Sequence, residues 1–148
     1  GGGVALAVYL DIRIASESAI FGCPEIGLGW NMPFGMSLLT GLVGRGKALE
    51  LLLRGHFIQA PEAHWIGLVD EIVPDPELME SAERIGDEIA SHSSTAIRSI
   101  KAVLKAEEGM GIKEADDTET RAFRNCFDTK EARAGIRDFV KKNNKPPT

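Results

Sequence analysis

The amino-acid sequence predicts an α/β protein with two regions, residues 1–75 and residues 76–148. The first region is rich in glycine and apolar residues, and it contains short alternating runs that are typical of strands. The second region carries more charge, and its apolar residues recur every three or four positions, which is typical of amphipathic helices. These observations predict a mixed α/β region followed by a helical region.

The chain opens with three glycines, Gly1, Gly2 and Gly3, followed by an apolar run. Because glycine has no Cβ atom, a ligand can approach the main-chain N–H groups at such a point. The positive end of a helix dipole would strengthen the attraction of these groups for negative charge. We therefore expect the opening turn to stabilise a negatively charged oxygen, so the chain begins inside a functional site.

The predicted elements of the first region follow one another closely. They are strands at 11–15 and 19–21, a loop at 27–35, helices at 36–42 and 47–53, a helix from 60 and a buried strand at 67–73. The strands are predicted from alternation and apolar runs, and the loop from its glycines and proline. The Gly44-Arg45-Gly46 sequence separates the two helices at 36–53.

The second region is predicted to contain four helices. Their apolar faces are Leu78, Ala82, Ile85 and Ile89; Ile97, Ile100 and Leu104; Ala115, Ala122, Phe123 and Phe127; and Ile136, Phe139 and Val140. A break is predicted at 109–111. Asp128 with Glu131 predicts a capping box for the last helix, and the tail from 143 is predicted to fray.

Composition excludes several classes of function. The length of 148 residues, with 43% hydrophobic and 26% charged residues, is ordinary for one soluble domain with a sizeable core. A formal net charge of −5 gives no basic surface for nucleic acid. No apolar run reaches the length of about 18 residues that predicts a membrane span. Cys23 and Cys126 form no C-x-x-C pair, so we expect reduced thiols in a cytoplasmic protein.

One carboxylate is distinguished by its neighbours. Glu25 follows the strand predicted at 19–21 and lies among glycines and apolar residues. A carboxyl group that loses hydration in such surroundings can exchange protons near neutral pH. A solvated loop carboxylate is the alternative interpretation. Four large apolar residues close by either line an apolar pocket or pack in the core: Trp30, Met32, Phe34 and Met36.

Other chemical motifs are incomplete. Residues 41–48 fit the G-x-x-x-x-G-K pattern of a phosphate-binding loop, but Ala48 takes the position of the Ser or Thr that would bind Mg²⁺. The residues before this pattern are predicted to be helical rather than a strand. His56, His64 and His92 lack the spacing of metal ligands, and no G-x-S-x-G sequence indicates a serine hydrolase.

Taken in order, the motifs of the chain resemble the enoyl-CoA hydratase/isomerase (crotonase) family. The resemblance covers essentially the whole chain and depends on the order of many short motifs. They are Gly1-Gly2-Gly3, Asp11-Ile12-Arg13-Ile14-Ala15, Phe21-Gly22-Cys23-Pro24-Glu25, Leu28-Gly29, residues 42–51, Ala60-Pro61-Glu62-Ala63, residues 66–70, Val73-Pro74 and residues 127–135.

The resemblance implies part of a crotonase-like β/α spiral core in residues 1–75 and a helical trimerisation region in residues 76–148. It also implies an acyl-CoA thioester as ligand, and a homotrimer or a dimer of trimers as the assembly. No metal and no cofactor are expected, since coenzyme A belongs to the substrate. Two main-chain N–H groups would form an oxyanion hole, in which each fixed donor lowers the barrier by about 3 kcal/mol.

Residue roles follow from the same resemblance. Gly2 would be one oxyanion donor and Glu25 the catalytic acid/base. Residues expected to bind the substrate are Gly1, Gly3, Ala5, Met32, Pro33 and Phe34. Family members are considerably longer, and the portion that we expect to be missing carries the second donor and much of the pocket for the CoA nucleotide.

Two departures from the family pattern bear on the reaction. Hydratases place a glutamate at the position of Ala5 and another at Glu25, because two carboxylates hold and activate the water that adds to the double bond. The Pro-Gly-x-Gly-Gly loop of hydratases is replaced by the sequence from Met32 to Ser37. A single carboxylate can still shuttle a proton, so isomerisation is favoured over hydration. A catalytically inactive, oligomerising or binding module is the alternative.

Overall fold

The computed structural model describes residues 1–29, 31–106, 112–127 and 129–143. Contacts within the chain divide it into two compact units, a first unit ending at Arg84 and a second unit beginning at Ile85. The sequence predicts a division between residues 75 and 76. In the structure the boundary falls inside a helix at Leu78–Ala90.

The first unit opens with helix α1 (Gly2–Ala7), which begins within the glycine cluster, as predicted. The carbonyl oxygen of Gly1 accepts hydrogen bonds from the N–H groups of Val4 at 2.9 Å and Ala5 at 3.1 Å. The side chains of Val4 and Ala5 are buried in the core. Core packing therefore holds one side of α1, while Gly2 and Gly3 remain exposed.

The described residues of the first unit form four short strands in two pairs. They are β1 (Ile14–Ser16), β2 (Ile20–Gly22), β3 (Phe57–Gln59) and β4 (Glu71–Val73). β1 runs parallel to β4, and β2 runs antiparallel to β3. The sequence analysis missed β3, and the strand predicted at 67–73 is confined to its last three residues. The pairs correspond to part of a spiral core rather than to complete ββα turns.

A buried arginine explains why β1 begins later than the strand predicted at 11–15. The main-chain N–H of Arg13 donates to the Asp70 carboxylate at 2.7 Å, and the Asp70 N–H donates to the Arg13 carbonyl oxygen at 2.8 Å. The guanidinium, in a residue 9% exposed, donates to the carbonyl oxygens of Leu68 at 2.9 Å and Leu10 at 2.7 Å and to the Asp70 carboxylate at 3.2 Å. These contacts, the Arg13 clamp, join the segment after α1 to the turn before β4.

Helix α2 (Met36–Arg54) is interrupted at Gly44, within the predicted break. Gly44 has φ 77° and ψ 155°, a conformation that is essentially restricted to glycine. The interruption leaves a first segment at 36–43 and a second segment at 45–54. Both segments are helical, whereas a phosphate-binding loop joins a strand to a helix. This difference agrees with the rejection of the phosphate-binding motif in the sequence analysis.

A short helix and an apolar core complete the first unit. Helix α3 (Ala60–Trp65) starts at the predicted residue, with a proline in its first turn, where the missing N–H costs no hydrogen bond. The core is formed by Val4, Ala5, Val8, Ala15, Cys23, Met32, Leu39, Ala48, Leu51, Ile58, Ala60, Ala63, Leu68 and Val69.

The charged region is helical, as predicted. Its helices are α4 (Leu78–Ala90), α5 (Ser94–Ala106), α6 (Ile112–Phe127) and α7 (Lys130–Asn143). In the second unit α5 packs against α6, and α6 contacts α7. The predicted break at 109–111 and the tail beyond 143 lie outside the described residues, as do the side chains of Ala115 and Phe139.

The residue that caps α7 in the structure is Thr129. Its hydroxyl oxygen accepts a hydrogen bond from the N–H of Ala132 at 3.2 Å, and the hydroxyl donates to the carbonyl oxygen of Cys126 at 2.7 Å. The predicted capping residue, Asp128, lies outside the described residues. A threonine at this point satisfies an otherwise free N–H of the first helical turn.

Candidate active site

Glu25 is held at the end of β2 by a tight local structure. A Cβ atom on Gly22 would lie 2.6 Å from a ring carbon of Phe57 and 3.0 Å from the carbonyl oxygen of His56, so only glycine fits here. A 3-10 helix, Pro24–Leu28, follows and contains Glu25 in its first turn. The glycine after this helix has a left-handed conformation, which ends it.

The Glu25 carboxylate lies against the entry to α1. Its Oε1 is 3.9 Å from the main-chain nitrogen of Gly1, and a Cβ atom on Gly1 would lie 3.4 Å from the same oxygen. The Gly1 nitrogen donates a hydrogen bond to the carbonyl oxygen of Gly22. The Glu25 side chain is 14% exposed, and its buried Oε2 has no hydrogen-bond partner among the described residues. Because an unsatisfied buried oxygen is costly, it marks a place where a ligand could supply the partner.

The start of α1 supplies main-chain donors beside this carboxylate. The first N–H groups of a helix have no acceptor within the helix, and in α1 these include Gly2 and Gly3. Cβ atoms added to Gly2 or Gly3 would meet nothing within 4 Å in the described part of the chain. The described residues therefore leave open space where a side chain at Gly2 or Gly3 would lie. The structure places Gly1, at the entry to α1, beside the Glu25 carboxylate.

A cavity of about 170 Å³ lies beside Glu25. Its lining comes from the loop after β2 and from both segments of α2. The lining residues are Cys23, Glu25, Ile26, Asn31, Met32, Met36, Leu49, Leu52 and Leu53. Six of these nine side chains are apolar, and Glu25 supplies the carboxylate. The cavity can therefore hold an apolar group next to a proton acceptor.

Five of the six residues expected to bind the substrate do not line this cavity, and two of the five, Gly1 and Gly3, lie at the start of α1. Ala5 is fully buried, so its methyl group packs in the core. Pro33 is exposed. Phe34 is half-exposed, and its ring lies 6.2 Å from the ring of Tyr9, measured between centroids. Of the loop residues at 32–34, Met32 alone lines the cavity, and Trp30 lies outside the described residues.

Sequence reasoning missed two polar residues of the lining, Cys23 and Asn31. Cys23 is nearly fully buried, and this burial raises the pKa of its thiol, so the thiol is protonated at neutral pH. The proximity of both residues to Glu25 in the sequence was the available signal. The cavity also depends on Leu49, Leu52 and Leu53, which are distant in the sequence and gave no such signal.

A larger cavity of about 300 Å³ in the first unit lacks suitable chemistry. Its lining is apolar except for Arg13, whose guanidinium is engaged in the Arg13 clamp. Elsewhere in the described ranges, no group of three or more His, Cys, Asp or Glu residues is arranged to hold a metal ion. No helix in the same ranges is both long and apolar enough to cross a membrane.

Known proteins resemble the chain over most of its length. Residues 1–147 match the enoyl-CoA hydratase/isomerase family. A short-chain-enoyl-CoA hydratase of Clostridioides difficile is 40% identical over 139 residues, which cover 93% of this chain and 90% of that protein. The protein of the same name from Clostridium acetobutylicum is 38% identical over 143 residues, or 96% of this chain and 55% of that protein.

Solved structures agree with these sequence matches. The enoyl-CoA hydratase of Bacillus anthracis superposes with a TM-score of 0.91 at 34% identity, covering 96% of this chain and 55% of that one. This chain thus spans about half the length of the B. anthracis and C. acetobutylicum proteins. The predicted crotonase-like core, present here in part, is confirmed. With motif order, fold and a match over residues 1–147 in agreement, the chain belongs to the enoyl-CoA hydratase/isomerase family.

Proposed function

We propose that the protein acts on an acyl-CoA thioester by removing a proton next to the thioester carbonyl and returning it elsewhere. The observation that carries this proposal is the Glu25 carboxylate, which has an unpartnered, buried Oε2 and lies beside the start of α1. The adjoining apolar cavity supports the placement of an acyl group there.

Gly2 is the proposed oxyanion donor. Removal of the proton puts negative charge on the thioester oxygen, and a fixed main-chain N–H that points at this oxygen lowers the barrier by about 3 kcal/mol. Gly2 supports this role because it lies in the exposed first turn of α1, where its N–H has no acceptor within the helix. The second donor would come from a part of the fold that longer relatives contain and this chain does not.

Glu25 is the proposed acid/base. As a carboxylate it accepts the proton from the carbon next to the carbonyl, and as the neutral acid it returns that proton to another carbon of the same chain. A general acid/base of this kind contributes a rate factor of about 10² to 10⁴. Its short distance from Gly1 supports a geometry in which the proton acceptor and the oxyanion donor serve one thioester.

Isomerisation of the double bond is the proposed reaction, in preference to hydration. Hydration needs two carboxylates to hold the water, and Glu25 is the single carboxylate among the residues that line the cavity. Ala5, at the position of the second carboxylate of hydratases, is buried, and α1 contains no titratable side chain. Relatives named hydratases support hydration as the competing reaction.

The experiment that tests this choice supplies a 3-enoyl-CoA and a 2-enoyl-CoA to the complete gene product. We expect isomerisation of the first substrate and slow hydration of the second. Glu25→Gln should abolish the isomerisation, whereas Glu17→Gln, which changes an exposed carboxylate outside the cavity, should not. Efficient hydration without isomerisation would contradict the argument from a single carboxylate.

A non-catalytic oligomerising module is the second candidate, and the helices of the second unit favour it. Ile100 and Leu104 on α5 and Phe123 on α6 are more than half exposed, and they line a groove of about 340 Å³. Burial of this groove would support the proposed homotrimer or dimer of trimers. Calorimetry with coenzyme A separates the two candidates, because a scaffold should give no heat of binding.

The remaining proposals concern location and partners. Both Cys23 and Cys126 are free in the structure, which supports a reducing compartment such as the cytoplasm. A net charge of −5 gives no support to nucleic acid as a partner.

A further inference from the structure

We infer that Cys23 is a positioning residue for proton transfer, because its thiol forms part of the buried wall beside Glu25 without giving the carboxylate a strong hydrogen bond. The inference rests on the proposed function, since it concerns the carboxylate that would accept the substrate proton. It adds a second residue, which acts through Glu25 and decides how strong a base this carboxylate is.

The thiol of Cys23 is a buried neighbour of the Glu25 carboxylate. Both side chains line the cavity of about 170 Å³. Cys23 is 2% exposed and directly follows β2, and Glu25 lies two residues later in the first turn of the 3-10 helix. Burial raises the pKa of the Cys23 thiol, and the negative charge of Glu25 adds a smaller rise. The two groups therefore interact, and the thiol keeps its proton wherever Glu25 changes its own.

The hydrogen bonding of Glu25 depends on which donor stands in this wall. The buried Oε2 has no hydrogen-bond partner among the described residues, so the thiol of Cys23 does not donate to it. A thiol is a weak donor, whereas a hydroxyl forms a short, strong hydrogen bond with a carboxylate. Such a bond stabilises the charged form of the carboxylate and makes it a weaker base. A thiol at position 23 therefore leaves Glu25 a stronger base than a hydroxyl would.

The other polar groups at the cavity are less able to act on Glu25. Asn31 lines the cavity but is exposed, so water can bond its amide. The entry to α1 contributes the nitrogen of Gly1, at 3.9 Å from Oε1, and α1 contains no titratable side chain. Cys23 is thus the buried polar side chain that shares the lining with Glu25.

Charged groups on the remaining elements around Glu25 face elsewhere. Glu50 on α2 is bonded to Lys47 at 2.9 Å and to Arg54 at 2.7 Å, and these three side chains do not line the cavity. His56, just before β3, has a buried Nδ1 without a partner in the described ranges, but its side chain is also absent from the lining. The effect of a substitution at position 23 on Glu25 can therefore be measured separately from these groups.

The experiment measures the pH profile of kcat/KM for isomerisation by the complete gene product and its variants. The acidic limb of this profile reports protonation of the base in the free enzyme. Cys23→Ser should move this limb to lower pH by about one to two pH units, as expected for one hydrogen bond to a charged group. Cys23→Ala adds no donor and should keep the limb at the wild-type pH. Cys126→Ser is the matched control, since Cys126 lies on α6 and does not line the cavity.

An unmoved limb in folded Cys23→Ser would overturn the inference, as would an equal shift in Cys23→Ala or in Cys126→Ser. Cys23→Thr and Cys23→Val form a second pair that differs by a hydroxyl, for use if the serine variant does not fold. If the wild-type protein transfers no proton, the proposed function fails instead. NMR titration of the Glu25 carboxyl carbon then tests the inference by itself. A lower midpoint in Cys23→Ser than in Cys23→Ala would support it, and equal midpoints would overturn it.

Discussion

Replacing Arg13 by methionine is expected to lower the free energy of unfolding by about 4 kcal/mol. The substitution keeps an apolar stem but removes the three side-chain hydrogen bonds of the Arg13 clamp. The bond to the Leu68 carbonyl is buried, and its loss leaves an unsatisfied acceptor at a cost of about 1–3 kcal/mol. The bonds to Leu10 and Asp70 are partly exposed, so water replaces them in part and each adds about 0.5–1.5 kcal/mol.

Urea unfolding followed by circular dichroism measures this effect. Arg13→Lys keeps the charge, but one ammonium group cannot reach all three acceptors, so about half of the loss should remain. Arg54→Met is the matched control, because Arg54 is exposed and its one described hydrogen bond goes to Glu50 at the surface. The control should leave the midpoint unchanged. Equal midpoints for Arg13→Met and Arg54→Met would refute the clamp as a source of stability.

Three further substitutions test local claims. Gly22→Ala should destabilise the protein by about 1–3 kcal/mol, because the added methyl group overlaps the start of β3; Gly27→Ala, which has open space, should be tolerated in the same unfolding assay. Burial raises the pKa of the Cys23 thiol above its ordinary value of 9.0, so stability should fall as the pH rises through and above this value. Cys23→Ala should remove that fall in stability. An unchanged dependence of stability on pH in this variant would contradict the prediction. Hydrogen bonding, chiefly from the Ser18 hydroxyl, holds the pKa of Asp75 below its ordinary value of 3.8. The hydrogen bond between Ser18 and Asp75 therefore stabilises the fold at pH values above 3.8. This stabilisation is lost as the pH falls through the lowered pKa of Asp75. Ser18→Ala should raise the pKa of the Asp75 carboxyl group, as measured by NMR titration.

Local sequence signals predicted the helical elements well. The interruption of α2 follows from Gly44, and the start of α3 follows from Ala60 and Pro61, because glycine and proline impose backbone conformations by themselves. The helices after residue 76 were predicted from the period of their apolar residues, which depends on the same stretch of chain.

Strand limits and the cavity could not be predicted in this way. The strand predicted at 11–15 begins later in the structure because Arg13 is hydrogen-bonded to Asp70, a partner distant in the sequence. β3 was missed because three residues are too few for a recognisable alternation. The position of Glu25 was predicted from its neighbours, whereas the contribution of Leu49 to its cavity arises from tertiary packing.

The central claim is that the Glu25 carboxylate moves a proton at the carbon next to a thioester carbonyl. Exchange of that proton for solvent deuterium, followed by mass spectrometry of the acyl-CoA, measures this step without regard to the final product. The account predicts exchange by the complete gene product, a loss of about 10² to 10⁴ in rate for Glu25→Gln, and no change for Glu17→Gln. Exchange by Glu25→Gln at the wild-type rate would contradict it.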